Sequence, residues 1–144
     1  MTKRMIACWA LVCGLLIASG SSSLAGKVVA KVDISSQTMT VIENGQTKYR
    51  WKVSTARAGK VTPTGRWNAK YFKRYHFSTR YNNAPMPYSI FYSGNFAIHG
   101  TNQTSKLGRP ASAGCIRLSK SNAAKLFSMA KSVGAQNTVV IVQH

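Results

Sequence analysis

The sequence predicts a small, mostly β domain with one main helix. Between residues 28 and 55, short runs rich in β-branched residues alternate apolar and polar positions, as half-buried strands do. One stretch near the end of the chain has the apolar spacing of an amphipathic helix. No repeat, linker or low-complexity tract divides the chain, so we expect a single compact domain with a modest core.

The N-terminal 25 residues have the features of a secretory signal peptide. A basic start precedes the apolar run "MIACWALVCGLLIAS", which is too short and wrongly flanked for a membrane span, and "SLA" supplies the small residues of a cleavage site. An uncleaved anchor is the alternative. Lipidation is disfavoured because Cys8 and Cys13 lie inside the apolar run. The predicted domains are therefore a signal peptide over 1–25 and one domain over 26–144, with no stable membrane insertion after cleavage.

The first half of the domain contains a predicted β-hairpin. "VDISSQTMTVIENGQTKYRW" holds two alternating runs separated by Asn44 and Gly45, and both central residues of a type I′ turn need positive φ. "TPTG" at 62–65 predicts a turn in which Gly65 is free to take positive φ. "RWNAKYFKRYHFS" at 66–78 alternates bulky and charged residues, which indicates a strand or a pair of strands.

The second half adds a loop, a strand, the helix and a final strand. "YNNAPMPYS" at 81–89 is predicted to be a loop because its prolines break any ladder, and "SIFYSGNFAIHG" at 89–100 returns to strand. In "SKSNAAKLFSMAKSVG" a serine caps the helix and Gly134 stops it. The apolar face of this helix consists of Ala123, Leu126, Phe127, Ala130 and Val133. "NTVVIVQ" at 137–143 closes the chain as a buried strand.

The charge balance is strongly basic. The chain has 20 Lys and Arg against 2 Asp and Glu, and without the signal peptide its formal net charge falls from +18 to +16. Such a field attracts polyanions, which include nucleic acid, anionic lipid head groups and the anionic polymers of a bacterial cell envelope. Nucleic acid is not an expected partner, because no helix-turn-helix, zinc-finger or RNA-binding pattern is present. The alternative is a solvated basic surface with no dedicated partner.

The scarcity of acidic residues excludes several chemistries. Asp33 and Glu43 are the only carboxylate side chains, so a pair of catalytic carboxylates and a Ser-His-Asp triad are both poorly supplied. The three histidines and the cysteines show none of the usual zinc spacings. We therefore predict no metal and no other cofactor.

Cys115 is the one cysteine that remains after signal cleavage. An unpaired thiol in an oxidising compartment points to intermolecular pairing or to a reactive nucleophile. Arg117 and the nearby helix start could favour the thiolate, and His99, at a strand end before a long loop, is the best-placed base. The alternative is a buried inert cysteine beside a structural histidine.

"HGT" at 99–101 and "LGRPASAGCIRL" at 107–118 resemble the L,D-transpeptidase catalytic domain (YkuD-like), and further matching segments extend the resemblance over essentially the whole of 26–144. The resemblance implies a small β-sandwich with a helix packed against it. It implies an exported enzyme of the bacterial periplasm or cell envelope that acts on peptidoglycan stem peptides. A cysteine would form a thioester with release of the terminal D-alanine, and an amine would then accept the acyl group. Water as acceptor, giving an L,D-carboxypeptidase or hydrolase, and a non-catalytic cationic envelope-binding protein remain alternatives.

The resemblance also implies roles for individual residues. Cys115 would be the nucleophile, His99 would take its proton, and the carbonyl of Gly100 would orient the imidazole. The backbone N–H groups of Gly114 and Cys115 would stabilise the oxyanion. Ser112 would shape the turn or contact the substrate.

Three further positions carry less specific expectations. Arg117, like Ser112, matches the motif and either contacts substrate or gives purely structural support. Tyr88 is expected beside the donor stem. Ala113 stands where the family most often has histidine, and this departure leaves the nucleophile and base intact but puts acceptor choice in doubt.

Overall fold

The computed structural model describes residues 26–144, and the predicted signal peptide lies outside these residues. Within them the chain forms nine strands and one α-helix. In chain order these are β1 (Val28–Asp33), β2 (Thr38–Glu43), β3 (Gln46–Lys52), β4 (Gly65–Asn68), β5 (Tyr71–Lys73), β6 (Ser89–Ser93), β7 (Phe96–Thr101), β8 (Ile116–Ser119), α1 (Lys120–Val133) and β9 (Thr138–Gln143). The predicted mostly β domain with one main helix is confirmed.

The strands form two sheets that face each other across one core. The large sheet has five strands in the order β3-β2-β1-β9-β4, and the small sheet has four in the order β5-β6-β7-β8. β1 pairs with β9, and β7 with β8, in parallel, while all other neighbours are antiparallel. The predicted sandwich is therefore present as two packed sheets.

Alternation along the strands fills this core. Every second side chain of β1 is buried, and so are Ile98 on β7 and Ile116 and Leu118 on β8. These apolar side chains form one cluster with the buried face of α1. The opposite face of each sheet is consequently turned outward, and for the small sheet that face carries the candidate site.

The helix ends as predicted. The Ser119 hydroxyl accepts a hydrogen bond from the Asn122 N–H at 3.2 Å, and Gly134 stops the helix with φ +87°. Its buried face consists of Ala123, Leu126 and Ala130 and packs against β7 and β8. No helix within residues 26–144 is long and apolar enough to cross a membrane.

The structure differs from the sequence prediction in two strand assignments, and it decides a third that the sequence left open. The predicted single strand over 89–100 is a hairpin, β6 and β7, because Gly94 takes φ +51° in the turn between them. Residues 116–119 form the strand β8, which was not predicted. The run 66–78 is a pair of strands, β4 and β5, and they belong to different sheets.

Candidate active site

The candidate catalytic residues lie on two parallel strands that adjoin at the outer face of the small sheet. Ile98 on β7 is registered with Ile116 on β8, and His99 with Arg117. Because both isoleucines point into the core, the alternation directs His99 and Arg117 outward. Cys115 directly precedes Ile116 and therefore lies on the same outer face. The structure thus brings all three predicted residues to one cleft.

This cleft has a volume of about 1070 Å³. It is lined by Cys115, His99 and Phe91, and most of the segment 75–88 forms one wall. No Asp or Glu lines the cleft. Its charged lining residues are all cationic, and they are Arg57, Lys60, Arg80, Arg117 and Lys120. A cleft with this lining is suited to substrates that carry carboxylates.

The Cys115 thiol is unpaired and largely protonated at rest. Its Sγ lies 3.9 Å from the Asn95 carbonyl, and its side chain packs against Met86, Phe91 and Ala97. Burial raises the pKa of the thiol, and this outweighs a backbone hydrogen bond from Ala97 and the charge of Arg117, which both lower it. Arg117 therefore favours the thiolate as expected, but burial has the larger effect in this conformation. A base has to remove the proton when substrate is bound.

His99 is arranged as a neutral base. Its side chain is 6 % exposed, and its Nδ1 lies 2.8 Å from the Gly100 carbonyl oxygen. Since a carbonyl can only accept, Nδ1 carries the proton and Nε2 keeps a free lone pair. Burial lowers the pKa of His99 to about 4, against the raising effect of the Gly100 carbonyl. At neutral pH this imidazole is unprotonated and able to accept a proton.

The turn before Cys115 is held by the Ser112 hydroxyl. Ser112 Oγ donates to the Cys115 carbonyl at 2.6 Å and accepts from the Gly114 N–H at 3.0 Å. This geometry gives Ser112 a turn-shaping position. It also occupies the Gly114 N–H, which was expected to serve the oxyanion, so that donor would have to leave Ser112 before it could bind substrate.

Gly114 admits no side chain. Its φ is +137°, and an added Cβ would lie 2.7 Å from Phe96 Cε1 and 2.8 Å from the Val61 carbonyl oxygen. The Thr62 hydroxyl donates to the Gly114 carbonyl at 2.8 Å and accepts from the Ala56 N–H at 3.0 Å. This buried threonine anchors the turn from a segment 52 residues away in sequence.

The remaining predicted residues also reach the cleft. Arg117 Nη1 donates to Gln103 Oε1 at 3.4 Å, and the Arg117 backbone pairs with Ser54 on the side of β8 away from β7. Tyr88 takes φ +56°, which is uncommon for a bulky residue, and its ring lies edge-on to Phe127 with 5.7 Å between centroids. Ala113 lines the cleft.

The sequence did not indicate the second imidazole of the cleft. His76 was placed among strand residues, but it lies in the segment 74–88, which folds back on itself: the His76 carbonyl accepts from the Met86 N–H at 2.8 Å. Its ring lies edge-on to Phe91 at 5.2 Å and lines the cleft. The signal that was available is the density of aromatic residues between charged ones at 71–81.

No group of three or more His, Cys, Asp or Glu side chains is close enough to hold a metal ion within residues 26–144. What the site contains is a thiol, an uncharged imidazole fixed by a backbone carbonyl, and a rigid glycine turn in a cationic cleft. This combination can support nucleophilic attack by sulfur on a carbonyl carbon, with the imidazole moving the proton.

The family model of the L,D-transpeptidase catalytic domain (YkuD) matches residues 27–142. The chain therefore belongs to the L,D-transpeptidase catalytic domain family. No curated protein matches it.

Solved L,D-transpeptidases share the fold. An L,D-transpeptidase from Mycobacterium smegmatis aligns with a TM-score of 0.73 at 22 % identity, covering 83 % of this chain and 59 % of that one. An L,D-transpeptidase from Mycobacterium tuberculosis H37Rv aligns with a TM-score of 0.74 at 22 % identity, covering 83 % of this chain and 58 % of that one. An L,D-transpeptidase from Stackebrandtia nassauensis aligns with a TM-score of 0.70 at 26 % identity, covering 82 % of this chain and 56 % of that one. The chain spans less than two thirds of the length of each of these proteins.

Proposed function

We propose that the protein is a cysteine-dependent L,D-transpeptidase that acts on peptidoglycan stem peptides in the bacterial periplasm or cell envelope. The observation that carries the proposal is that His99 on β7 and Cys115, directly before the adjoining strand β8, line one cationic cleft in a chain of this family. The predicted signal peptide supports export, and the basic composition supports retention among anionic envelope polymers.

In the first half-reaction the Sγ of Cys115 attacks the amide carbonyl after the third residue of a stem peptide. His99 Nε2 takes the thiol proton, while its Nδ1–H stays bonded to the Gly100 carbonyl. The carbonyl oxygen becomes an oxyanion, for which the Cys115 N–H is the proposed donor. The Gly114 N–H joins it only after leaving Ser112.

Collapse of this intermediate breaks the C–N bond. The leaving nitrogen takes the proton from His99, D-alanine departs, and a thioester remains on Cys115. In the second half-reaction an amine attacks the thioester carbonyl and gives a proton to His99. Departure of sulfur then restores the thiol and leaves a new amide, which is a cross-link when the amine belongs to another stem.

Cleft charge supports this substrate class. Stem peptides carry free carboxylates, and the cleft offers Arg57, Lys60, Arg80, Arg117 and Lys120 with no competing carboxylate among its lining residues. Of these cations, Arg117 is registered directly opposite His99 on the neighbouring strand. We therefore assign Arg117 to substrate carboxylate binding, with Tyr88 in the wall beside the donor stem.

The test is incubation of the purified protein with a diaminopimelate-containing tetrapeptide muropeptide, with products identified by mass spectrometry. We expect D-alanine release and a cross-linked dimer. Tripeptide without dimer would mean that water is the acceptor, and no product would favour the non-catalytic binding protein.

Cys115→Ser should abolish both products while the thermal midpoint changes little, since the substitution is nearly isosteric. His99→Gln should also lose activity, whereas His76→Gln, in the same cleft, is the matched control that retains it. Unfolding of Cys115→Ser without a separate catalytic effect would contradict the assignment and point to a structural cysteine.

A further inference from the structure

The outer face of the large sheet carries a straight row of cations that the catalytic cleft does not use. Arg50 on β3 is registered with Thr40 on β2, Thr40 with Lys31 on β1, Lys31 with Ile141 on β9, and Ile141 with Arg66 on β4. We call Arg50, Lys31 and Arg66, on alternate strands, the cationic row. It crosses all five strands of the sheet.

The direction of these side chains follows from the core. Ala30 and Val32 flank Lys31 and are buried, and Val140 and Val142 flank Ile141 and are buried. Directly registered residues share a face, so the whole row is turned away from the core, and its three cations are exposed. Neighbouring strands lie about 4.8 Å apart, which places successive cations of the row about 10 Å apart.

Few acidic groups oppose this row. Of the two carboxylates in the chain, Asp33 lies on the same face one row further along, where it accepts from the Ser35 hydroxyl and the Ser36 N–H. Glu43 lies at the end of β2, 3.7 Å from Lys48. The cations of the row therefore have no ion-pair partner among residues 26–144.

Among residues 26–144, the face has no fully exposed large apolar side chain, and Ile141, within the row itself, is half-buried. The exposed large apolar side chains of the described chain are Tyr49, Val61, Tyr71, Tyr75, Phe77 and Tyr81. Five of them line the catalytic cleft, and Tyr49 stacks on Trp51 on the opposite side of β3 from Arg50. A surface that inserts into lipid needs such side chains together with its cations, so a linear polyanion fits this face better than a membrane does.

We propose that the cationic row binds a peptidoglycan strand, through the carboxylates that its stem peptides present at regular intervals. The identity of the polymer rests on the proposed function, while the row itself rests on strand register and burial. Charge complementarity between three unpaired cations in line and a chain of spaced carboxylates carries the assignment.

The row and the nucleophile lie on opposite outer faces of the sandwich. Cys115 and His99 are on the outer face of the small sheet, and the core of both sheets separates them from the row. One short stem peptide cannot occupy both faces. The strand held by the row is therefore a second strand, or a distant part of the first, and it retains the enzyme on its polymer while the cleft exchanges stems.

The experiment is co-sedimentation with purified sacculi stripped of other polymers, at salt between about 50 and 200 mM. The row variant is Lys31→Gln/Arg50→Gln/Arg66→Gln. The matched control, Lys70→Gln/Lys106→Gln/Lys125→Gln, removes the same charge from exposed positions off this face and outside the cleft. A third variant, Arg50→Lys/Arg66→Lys, keeps the charges of the row.

We expect the row variant to bind sacculi about ten-fold more weakly at low salt, since each exposed ion pair contributes a factor of roughly two to five. The control triple and the charge-keeping variant should bind within about two-fold of the parent protein. Sacculi with amidated carboxylates should bind the parent as weakly as untreated sacculi bind the row variant. Melting curves establish that all variants are folded.

Equal weakening by the two triple variants would overturn the proposal in favour of the overall field. Stronger binding of the parent protein to anionic lipid vesicles than to sacculi would overturn the choice of polymer. Release of D-alanine from a soluble tetrapeptide should be unchanged in the row variant, and its loss would show that the row is not a separate site. Row-dependent binding by a protein that never releases D-alanine would overturn the proposed function and leave this inference standing.

Discussion

Acidification should destabilise the folded protein through His99. Burial holds the pKa of this imidazole at about 4 in the folded state, against an ordinary value of 6.5 in the unfolded chain. As the pH falls below 6.5 the unfolded chain gains a proton there and the folded protein does not, so the free energy of unfolding decreases. The decrease ends when the folded protein also becomes protonated, near pH 4.

The size of this effect follows from the two pKa values. One unit of pKa difference corresponds to about 1.4 kcal/mol, so the values 6.5 and about 4 give a loss of about 2 kcal/mol at pH 5 and about 3 kcal/mol at pH 4. Above about pH 7 the contribution is fully present. For a domain of this size such a loss is a large part of the total stability.

Urea unfolding followed by tryptophan fluorescence, at about pH 7.5 and about pH 5, measures this loss. His99→Gln has no imidazole to titrate, so its stability should fall by about 2 kcal/mol less than that of the parent protein over the same interval. His76→Gln is the comparison: burial and the charge of Lys73 also lower the pKa of that imidazole, but it is less buried than His99, so this variant should change the loss by less than His99→Gln does. Equal losses in the parent protein and His99→Gln would refute the argument that His99 is buried in its neutral form.

Two further predictions concern the turn before the nucleophile. Ser112→Ala removes the hydroxyl that bridges the Cys115 carbonyl and the Gly114 N–H, so it should lower the free energy of unfolding by about 1–3 kcal/mol and also lower kcat. The control, Ser132→Ala on the exposed helix surface, should change neither quantity. Equal effects of the two substitutions would contradict the role assigned to Ser112. Ala113→His should change the ratio of cross-linked to hydrolysed product more than it changes the single-turnover rate of D-alanine release, because the groups proposed for acylation are already present. A large rise in the release rate with an unchanged product ratio would instead mean that residue 113 takes part in acylation.

Those parts of the fold that depend on local chemistry could be predicted from the sequence. Asn44 and Gly45 take φ of +50° and +80°, as the predicted turn requires. The helix ends were set by Ser119 and Gly134. Strand β8 escaped prediction because its alternation covers only four residues and its partners, β7 and the segment around Ser54, are distant in sequence.

The candidate site divides in the same way. Cys115 and His99 are distinguished by residue type and by motif, so the sequence alone was enough to predict them as candidate catalytic residues. Thr62 and His76 carry no motif or spacing that marks them in the sequence. Only the folded chain places the Thr62 hydroxyl beside Gly114 and the His76 imidazole beside Phe91. The occupied Gly114 N–H and the raised pKa of the Cys115 thiol also follow from tertiary packing rather than from sequence.

Under the proposed export, the protonated thiol bears on how the protein keeps a free cysteine. Oxidation proceeds from the thiolate, so burial that raises the pKa of Cys115 also protects it in an oxidising compartment. Proton transfer to His99 is opposed at rest, because burial and the Arg117 guanidinium both lower the pKa of that imidazole. Under the proposed function, a bound stem peptide brings carboxylates that offset the cationic charge of the cleft, and the pKa of His99 rises. Binding of the anionic substrate thus promotes the proton transfer that creates the nucleophile, and the thiol becomes reactive when there is a carbonyl to attack.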